Sequence, residues 1–183
     1  EDMNHSKKIA VIGGGSWATA LVKMLCNNLD TVYWWMRGQD SVDHILKYRH
    51  NPKYLQSVEF DLNKIHVSTD LDAILGAAEV IIIATPSAFL VKLFENVDQK
   101  LFEGKVVFSA VKGIIPEHNA IPARFIHKTF GTPYSKIGII CGPCHAEEVA
   151  LERLSYLTIA CQDDRIADEM ADLLACRYIK TTI

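Results

Sequence analysis

Lys7-Lys8-Ile9-Ala10-Val11-Ile12-Gly13-Gly14-Gly15-Ser16-Trp17-Ala18 decides the fold. A short apolar run enters G-x-G-x-x-G/A and leaves as an amphipathic segment, which is the strand, turn and helix order that gives the glycine pattern its meaning. Gly13 allows the tight turn, Gly15 lets the backbone approach a pyrophosphate, and Ala18 is small enough for the helix to pack on the strand. Amide groups at the start of a helix over 16–28 then face the phosphates. A glycine turn without a ligand is the plain alternative; its place ahead of a full strand and helix alternation favours a dinucleotide site.

Outward from that turn, β-rich apolar runs predict strands at 7–12, 31–36, 65–68, 79–84, 105–109, 136–141, 155–160 and 178–182. Helices are predicted between them: 16–28, 40–49 from Asp40, 70–76 after Thr69, 86–98 with Pro86 at the first helical position, 119–130, 144–152 and 163–175. Asp163 caps the last of these, and Ile166, Met170, Leu173 and Leu174 share one face of it. The implied class is α/β: a doubly wound, mostly parallel sheet of the Rossmann type with helices on both faces. The stretch 50–64 has no clear period and reads as a long loop, functional or merely mobile.

Composition agrees with a globular, small-molecule protein. The 183 residues are 49% hydrophobic and 22% charged, enough to bury a core without disulfides. Lys plus Arg is 19 against 22 for Asp plus Glu, a net charge of −3 with no dense basic run, so nucleic acid is not the expected partner. The longest apolar runs, Val32–Met36 and Val80–Ala84, are far too short to span a bilayer, and no membrane insertion is expected. The opening residues lack the apolar core of a signal peptide. Five scattered cysteines fit a reducing compartment, so a cytoplasmic location is expected. A chain that ends on a strand-like run, Tyr178–Ile183, reads as part of a longer protein.

The second strand of such a domain ordinarily ends in an acid that holds the ribose 2′-hydroxyl. Here it ends Trp34-Trp35-Met36-Arg37. Arg37 suits a 2′-phosphate and can stack on adenine, which favours NADP or dual use over strict NAD; the plain alternative is a solvated charge. Asp40 remains a candidate ribose acid. Phe89, in the turn after the fourth strand, reads equally as a cofactor neighbour or as core beside Leu90 and Leu93. Lys112, after the fifth strand, can bind a phosphate or polarise a carbonyl, though a lysine there is more often only solvated.

The sixth strand runs into Cys141-Gly142-Pro143-Cys144-His145 and a helix, the layout of a thioredoxin-like redox site. Two features oppose that rival: no proline follows among the 39 residues after Cys144, and too many strands precede the motif. A zinc site from Cys141, Cys144 and His145 lacks a second ligand pair, so no metal is expected. His44, His50, His66, His118 and His127 read as surface residues without evident partners, and no G-x-S-x-G elbow supports a hydrolase.

Taken together, Gly13–Leu21, Trp35-Met36-Arg37, Val111-Lys112-Gly113 and Gly142–Ala150, supported by Ala84-Thr85-Pro86-Ser87 and Asn51-Pro52-Lys53-Tyr54-Leu55, give the chain a resemblance. Over 7–183 it resembles the bacterial NAD(P)-dependent glycerol-3-phosphate dehydrogenase family. The resemblance implies a cofactor-binding domain over 7–183, with NADP or NAD as cofactor and Ser16, Trp17, Arg37 and Ala146 lining its site. It implies that Lys112 reaches cofactor and substrate, and that Gly142 and Cys144 touch the substrate phosphate side. Cys144 stands where the family carries a small, usually hydroxyl-bearing residue, a departure at a position expected to hydrogen-bond the substrate. The implied reaction is hydride transfer between NAD(P)H and dihydroxyacetone phosphate, giving sn-glycerol 3-phosphate for phospholipid synthesis. The principal catalytic lysine is expected past Ile183, in an all-helical second domain missing from this chain, so the chain is expected to bind nucleotide without turnover. Oligomeric state is left open, a homodimer of the full-length protein among the forms. A dehydrogenase of another small polyol or acid and a nucleotide-sensing module also stay open.

Overall fold

The computed structural model describes residues 6–111, 121–142 and 145–183. Eight strands form one sheet: β1 (Ile9–Ile12), β2 (Val32–Trp35), β3 (Ile65–Ser68), β4 (Val80–Ile83), β5 (Val106–Ser109), β6 (Ile137–Cys141), β7 (Ser155–Cys161) and β8 (Ile179–Thr182). Their order across the sheet is β3-β2-β1-β4-β5-β6-β7-β8. Every pairing is parallel except that of β6 with β7, which is antiparallel. The helices are α1 (Ser16–Cys26), α2 (Gln39–Tyr48), α3 (Leu71–Ala77), α4 (Leu90–Phe94), α5 (Pro122–Phe130), α6 (Ala146–Ala150) and α7 (Asp164–Leu174).

Alternation along β1 shows how the layers form. Ile9 and Val11 pack with Leu21 and Leu25 of α1, Val42 and Ile45 of α2, Val149 of α6 and Leu173 of α7. Ala10 and Ile12 point the other way, into a second cluster with Leu75 of α3, Phe94 of α4 and Ile126 of α5. Both β1 and β4 are buried at all four positions, as expected of central parallel strands covered on both faces. β7 differs. Ser155, Leu157 and Ile159 are buried while Tyr156, Thr158 and Ala160 are exposed, a strict alternation that marks a strand covered on one face only.

Strand boundaries agree with the sequence reading to within two residues. The helix expected over 86–98 is the main departure. Pro86 lies before the helical residues with extended ψ of 140°, and a 3-10 turn over Ser87–Phe89 precedes the five-residue α4, which ends at Phe94. Pro86 fixes the entry to that turn rather than opening an α-helix. A second 3-10 turn, Gln99–Phe102, buries Phe102 against Phe130, the rings stacked nearly parallel with centroids 3.7 Å apart. In α7, Asp163 accepts from the Arg165 amide as expected, and Met170, Leu173 and Leu174 are buried, while Ile166 packs at the margin.

The stretch 50–64 carries no helix or strand, yet it is packed. Val58 and Phe60 are buried and Phe60 packs against the Trp34 ring, 5.3 Å between centroids. Several histidines also have partners. His127 Nδ1 meets the Thr132 carbonyl at 2.8 Å and its ring stacks on Tyr134, and the His44 and His50 rings meet edge to face at 4.8 Å. His66 packs beside Tyr33, and His118 lies outside the described residues. No helix among the described residues is long and apolar enough to cross a membrane.

Candidate functional site

The strand order reverses at β1: the chain runs from β1 outward to β2 and β3, then returns to β4 on the opposite side. Open α/β sheets bind ligands in the crevice that such a reversal leaves at the carboxyl ends of the strands. The glycine turn occupies that crevice. Gly13 has φ of +143°, and a methyl there would lie 2.8 Å from the Ala84 carbonyl oxygen, so both conformation and space demand glycine. At Gly15 an added methyl meets nothing within 4 Å. That is the open side.

Each carbonyl of the turn is held from within the protein. Thr85 Oγ1 and the Ala84 amide donate to Ile12 O at 3.0 and 2.9 Å, and Trp34 Nε1 donates to Gly13 O at 2.7 Å. Asn51 Nδ2 donates to Gly14 O at 3.2 Å, and Thr19 Oγ1 to Gly15 O at 2.6 Å. Asn51 Nδ2 also reaches Thr19 Oγ1 at 3.1 Å, so the last two anchors brace one another. With the carbonyls bound inward, the turn can present amides to the crevice.

Helix α1 adds to this. Asp70 and Asp163 cap α3 and α7 through their side chains, but Gly15 is the residue before α1; no side chain caps that helix and no acid stands in its first turn. Its orphan N–H groups and positive dipole end therefore remain available to an anion.

A cleft of about 840 Å³ opens over the turn, walled on one side by Arg37, Ser41, Asn51, Lys53 and Tyr54 and on the other by Thr85, Pro86, Phe89, Lys92 and Leu93. A second hollow of about 400 Å³ shares Thr85 and Pro86 with it and is lined also by Ser16, Trp17, Val111, His145, Ala146 and Glu147. The two adjoin at Thr85 and Pro86, at the carboxyl edge of the sheet.

Gly13, Gly15, Arg37 and Phe89 thus line the first compartment, and Ser16, Trp17 and Ala146 the second. Phe89 is 53% exposed, so of its two readings the structure favours the cleft over the core. Asp40 is exposed and lines neither compartment. Gly142 follows β6 with φ of +153°, outside both linings. Lys112 and Cys144 lie outside the described residues.

Sequence reasoning missed the anchors. Trp34 and Asn51, 0% and 1% exposed, are conspicuous only once their polar atoms are seen to end on the glycine turn. Asn51 opens the stretch Asn-Pro-Lys-Tyr-Leu, and that was the available signal. A more distant cluster steadies α6, which carries Ala146. Glu152, just past α6 with φ of +55°, accepts from Lys23 Nζ of α1 at 3.1 Å and pairs with Arg177 ahead of β8. Burial works against the Lys23 charge, but Glu152 and Tyr178 outweigh it and hold the ammonium above its usual range.

Fold and crevice together define a doubly wound protein of the Rossmann type whose site fits the pyrophosphate of a dinucleotide. A family model described as NAD-dependent glycerol-3-phosphate dehydrogenase N-terminus matches residues 8–167, and the chain belongs to that family. A relative in Azotobacter vinelandii named glycerol-3-phosphate dehydrogenase (NAD(P)+) is 34% identical over 172 residues, 94% of this chain and 49% of the relative. One of the same name in Pseudomonas syringae pv. syringae is 31% identical over 178 residues, 97% of this chain and 51% of the relative. The chain spans about half the length of these curated relatives.

Among solved structures, a Plasmodium falciparum glycerol-3-phosphate dehydrogenase superposes with a TM-score of 0.85 at 25% identity, over 98% of this chain and 52% of that one. An imine reductase from Myxococcus stipitatus in complex with NAD+ shares the fold alone, with a TM-score of 0.68 at 11% identity over 96% of this chain and 54% of that one. The thiol–disulfide reading of Cys141 and Cys144 is not favoured. Cys141 ends the sixth strand of an eight-stranded sheet whose glycine crevice lies at β1 and β4, and the family model spans that strand.

Proposed function

We propose that this chain is the cofactor-binding part of a glycerol-3-phosphate dehydrogenase, which moves a hydride between NAD(P)H and dihydroxyacetone phosphate and so interconverts that ketone with sn-glycerol 3-phosphate for phospholipid synthesis. The observation that carries the reading is the glycine turn, its carbonyls held inward beneath the uncapped start of α1 in a chain of this family. Gly15 and Ser16 hold the pyrophosphate by backbone amides, and Gly13, whose own amide donates to Trp35 O at 3.0 Å, shapes the turn beneath it, while Arg37 and Phe89 bracket the adenosine end. Trp17 and Ala146 flank the reacting end, where Thr85 and Pro86 separate the two compartments.

Hydride chemistry is supplied by the nicotinamide when it is bound; this chain orients it and limits water access. Lys112 is assigned to the carbonyl side, where negative charge develops and a cation stabilises it, and Gly142 and Cys144 to the substrate phosphate side. The principal catalytic lysine belongs to a second, helical domain of the full-length protein, which works in the cytoplasm.

Trp17, Trp34 and Trp35 all stand at the glycine turn or the end of β2, so intrinsic fluorescence reports on the site. Titration with NADPH and with NADH is expected to quench it saturably, and Arg37→Ala to weaken that binding. The chain alone is expected not to oxidise NADPH with dihydroxyacetone phosphate, whereas the full-length protein does so. Absence of quenching by either nucleotide would sink the reading.

A further inference from the structure

One stretch of the sheet is bare. Ala10 and Ile12 of β1 and Ile81 and Ile83 of β4 point into the cluster formed with α3, α4 and α5, and that helical layer reaches as far as Ile137 at the start of β6. Beyond it the same face runs on across β6, β7 and β8 without cover among the described residues. Ile139 and Cys141 of β6 are exposed, as are Tyr156, Thr158 and Ala160 of β7. Ile139 lies opposite Ala160, Cys141 opposite Thr158, and Thr158 in turn opposite Thr182 of β8. Residues paired in this way share one face, so these side chains form a single surface. On the other side of the sheet Leu157, Ile159 and Ile179 are buried with Leu173 and Leu174 of α7.

The bare face is suited to a dry contact. Lys180 is the one charged side chain that these strands bring to it, on the outer strand, where a long stem can keep the ammonium in water. The hydroxyls in its middle already have partners: Thr158 Oγ1 and Thr182 Oγ1 meet at 3.2 Å, and Thr182 Oγ1 lies 3.5 Å from Leu157 O. Covering them therefore leaves neither hydroxyl unsatisfied. Leu151 and Leu154, both exposed, add apolar surface just ahead of β7. Three strands spaced about 4.8 Å apart are roughly 10 Å across, the breadth of one helix.

We infer that this face is the docking surface of a helix from the half of the full-length protein that follows β8. The matching family model is described as an N-terminus, and the chain spans 49% and 51% of two relatives, so about as many residues again follow the matched part in those proteins. Because β8 borders the bare face, the second half is tethered beside it and meets it at high effective concentration. A helix seated there continues the layer of α3, α4 and α5 and completes the cover of the sheet on both faces. The inference rests on the second domain of the proposed function and deepens it, since a helix on β6 stands beside Gly142, where the substrate phosphate is assigned.

Thiol accessibility in the full-length protein and in this chain tests the inference. Native Cys141 and an Ala160→Cys variant put thiols on the face, and Glu103→Cys, exposed ahead of β5, is the control. Without nucleotide, alkylation is expected to modify both face thiols in this chain and to be at least about tenfold slower in the full-length protein, with Glu103→Cys unchanged. Thr158→Arg is expected to leave nucleotide quenching and the urea midpoint of this chain unaltered and to lower the midpoint of the full-length protein, where the charge is buried. Equal alkylation in both forms, or an unaltered midpoint of full-length Thr158→Arg, would overturn the inference, and turnover of dihydroxyacetone phosphate by that same protein would leave the proposed reaction intact. Protection that appears in this chain alone as its concentration rises, with a dimer in sedimentation, would overturn it in favour of a second copy. Protected face thiols in a full-length protein that binds no nucleotide would uphold the inference and sink the proposed function.

Discussion

Two glycine turns close strands at the same edge of the sheet, and they are built for different ends. Gly13 follows β1 at φ of +143°, with the Ala84 carbonyl oxygen 2.8 Å from where a methyl would sit; Gly142 follows β6 at φ of +153°, with the Tyr156 carbonyl oxygen 2.6 Å away. The backbone demand is nearly identical. At Gly13 it comes from a parallel neighbour, β4, and leads into the eleven-residue α1, which begins with no acid and no capping side chain. At Gly142 it comes from the antiparallel neighbour β7 and leads toward the five-residue α6, which carries Glu147 and Glu148 in its first turn. The first helix start is left open to an anion, and the second carries its own carboxylates. A glycine turn becomes a phosphate cradle through what surrounds it, and the positive φ alone does not distinguish the two.

The sharpest way to break this comparison is a methyl at each turn. Gly13→Ala is expected to cost about 3 kcal/mol or more and to abolish nucleotide binding, because the turn must move away from Ala84. Gly142→Ala is expected to cost about 2 to 3 kcal/mol while nucleotide binding persists, since the strain falls beside β7 and away from the first compartment. Urea unfolding and fluorescence titration of both variants decide the matter, and loss of nucleotide binding in folded Gly142→Ala would erase the distinction.

A smaller effect is expected from the anchors. Trp34→Phe leaves the Gly13 carbonyl without its indole donor in a buried position, at about 1 to 3 kcal/mol of stability. Asn51→Ala releases Gly14 O and the Lys53 amide together and is expected to weaken nucleotide binding more than it weakens the fold. If both variants bound nucleotide as the unaltered chain does, the inward-held carbonyls would not be what presents the amides.

The thiols give the smallest effect. Burial pushes the Cys26 thiol up to about 12 from an ordinary 9.0. Above pH 9 the unfolded chain therefore loses this proton while the folded chain keeps it, so stability is expected to fall as pH rises from 9 toward 12, and to fall less steeply in Cys26→Ala. Native alkylation near pH 8 is expected to modify the exposed Cys141 well before Cys26, read by peptide mass mapping. Faster labelling of Cys26 would contradict its burial.

Much of the fold was legible because central parallel strands are buried on both faces and so read as unbroken apolar runs: Ile9–Ile12 and Val80–Ile83 are such strands. The segment after Pro86 was not legible, because a 3-10 turn and a single turn of α-helix share the composition of one longer helix. Of the residues expected at the site, Gly13, Gly15 and Arg37, read from their place in the sequence, and Ser16, Trp17 and Ala146, implied by the resemblance, each line a compartment. Lys53 and Lys92 were not singled out, since a lysine on a loop or a short helix has no local signature.

The amino-acid sequence by itself determined the α/β alternation, the glycine turn and the cation at the end of β2, because burial period and turn chemistry are local properties written in neighbouring residues. Only the tertiary structure decided that Trp34, Asn51, Thr19 and Thr85 converge on four successive carbonyls, and that Arg37, Lys53 and Lys92 face one cleft. Those groups are brought together by the order of strands across the sheet, and hydrogen bonds and charge act through space, whatever the separation along the chain.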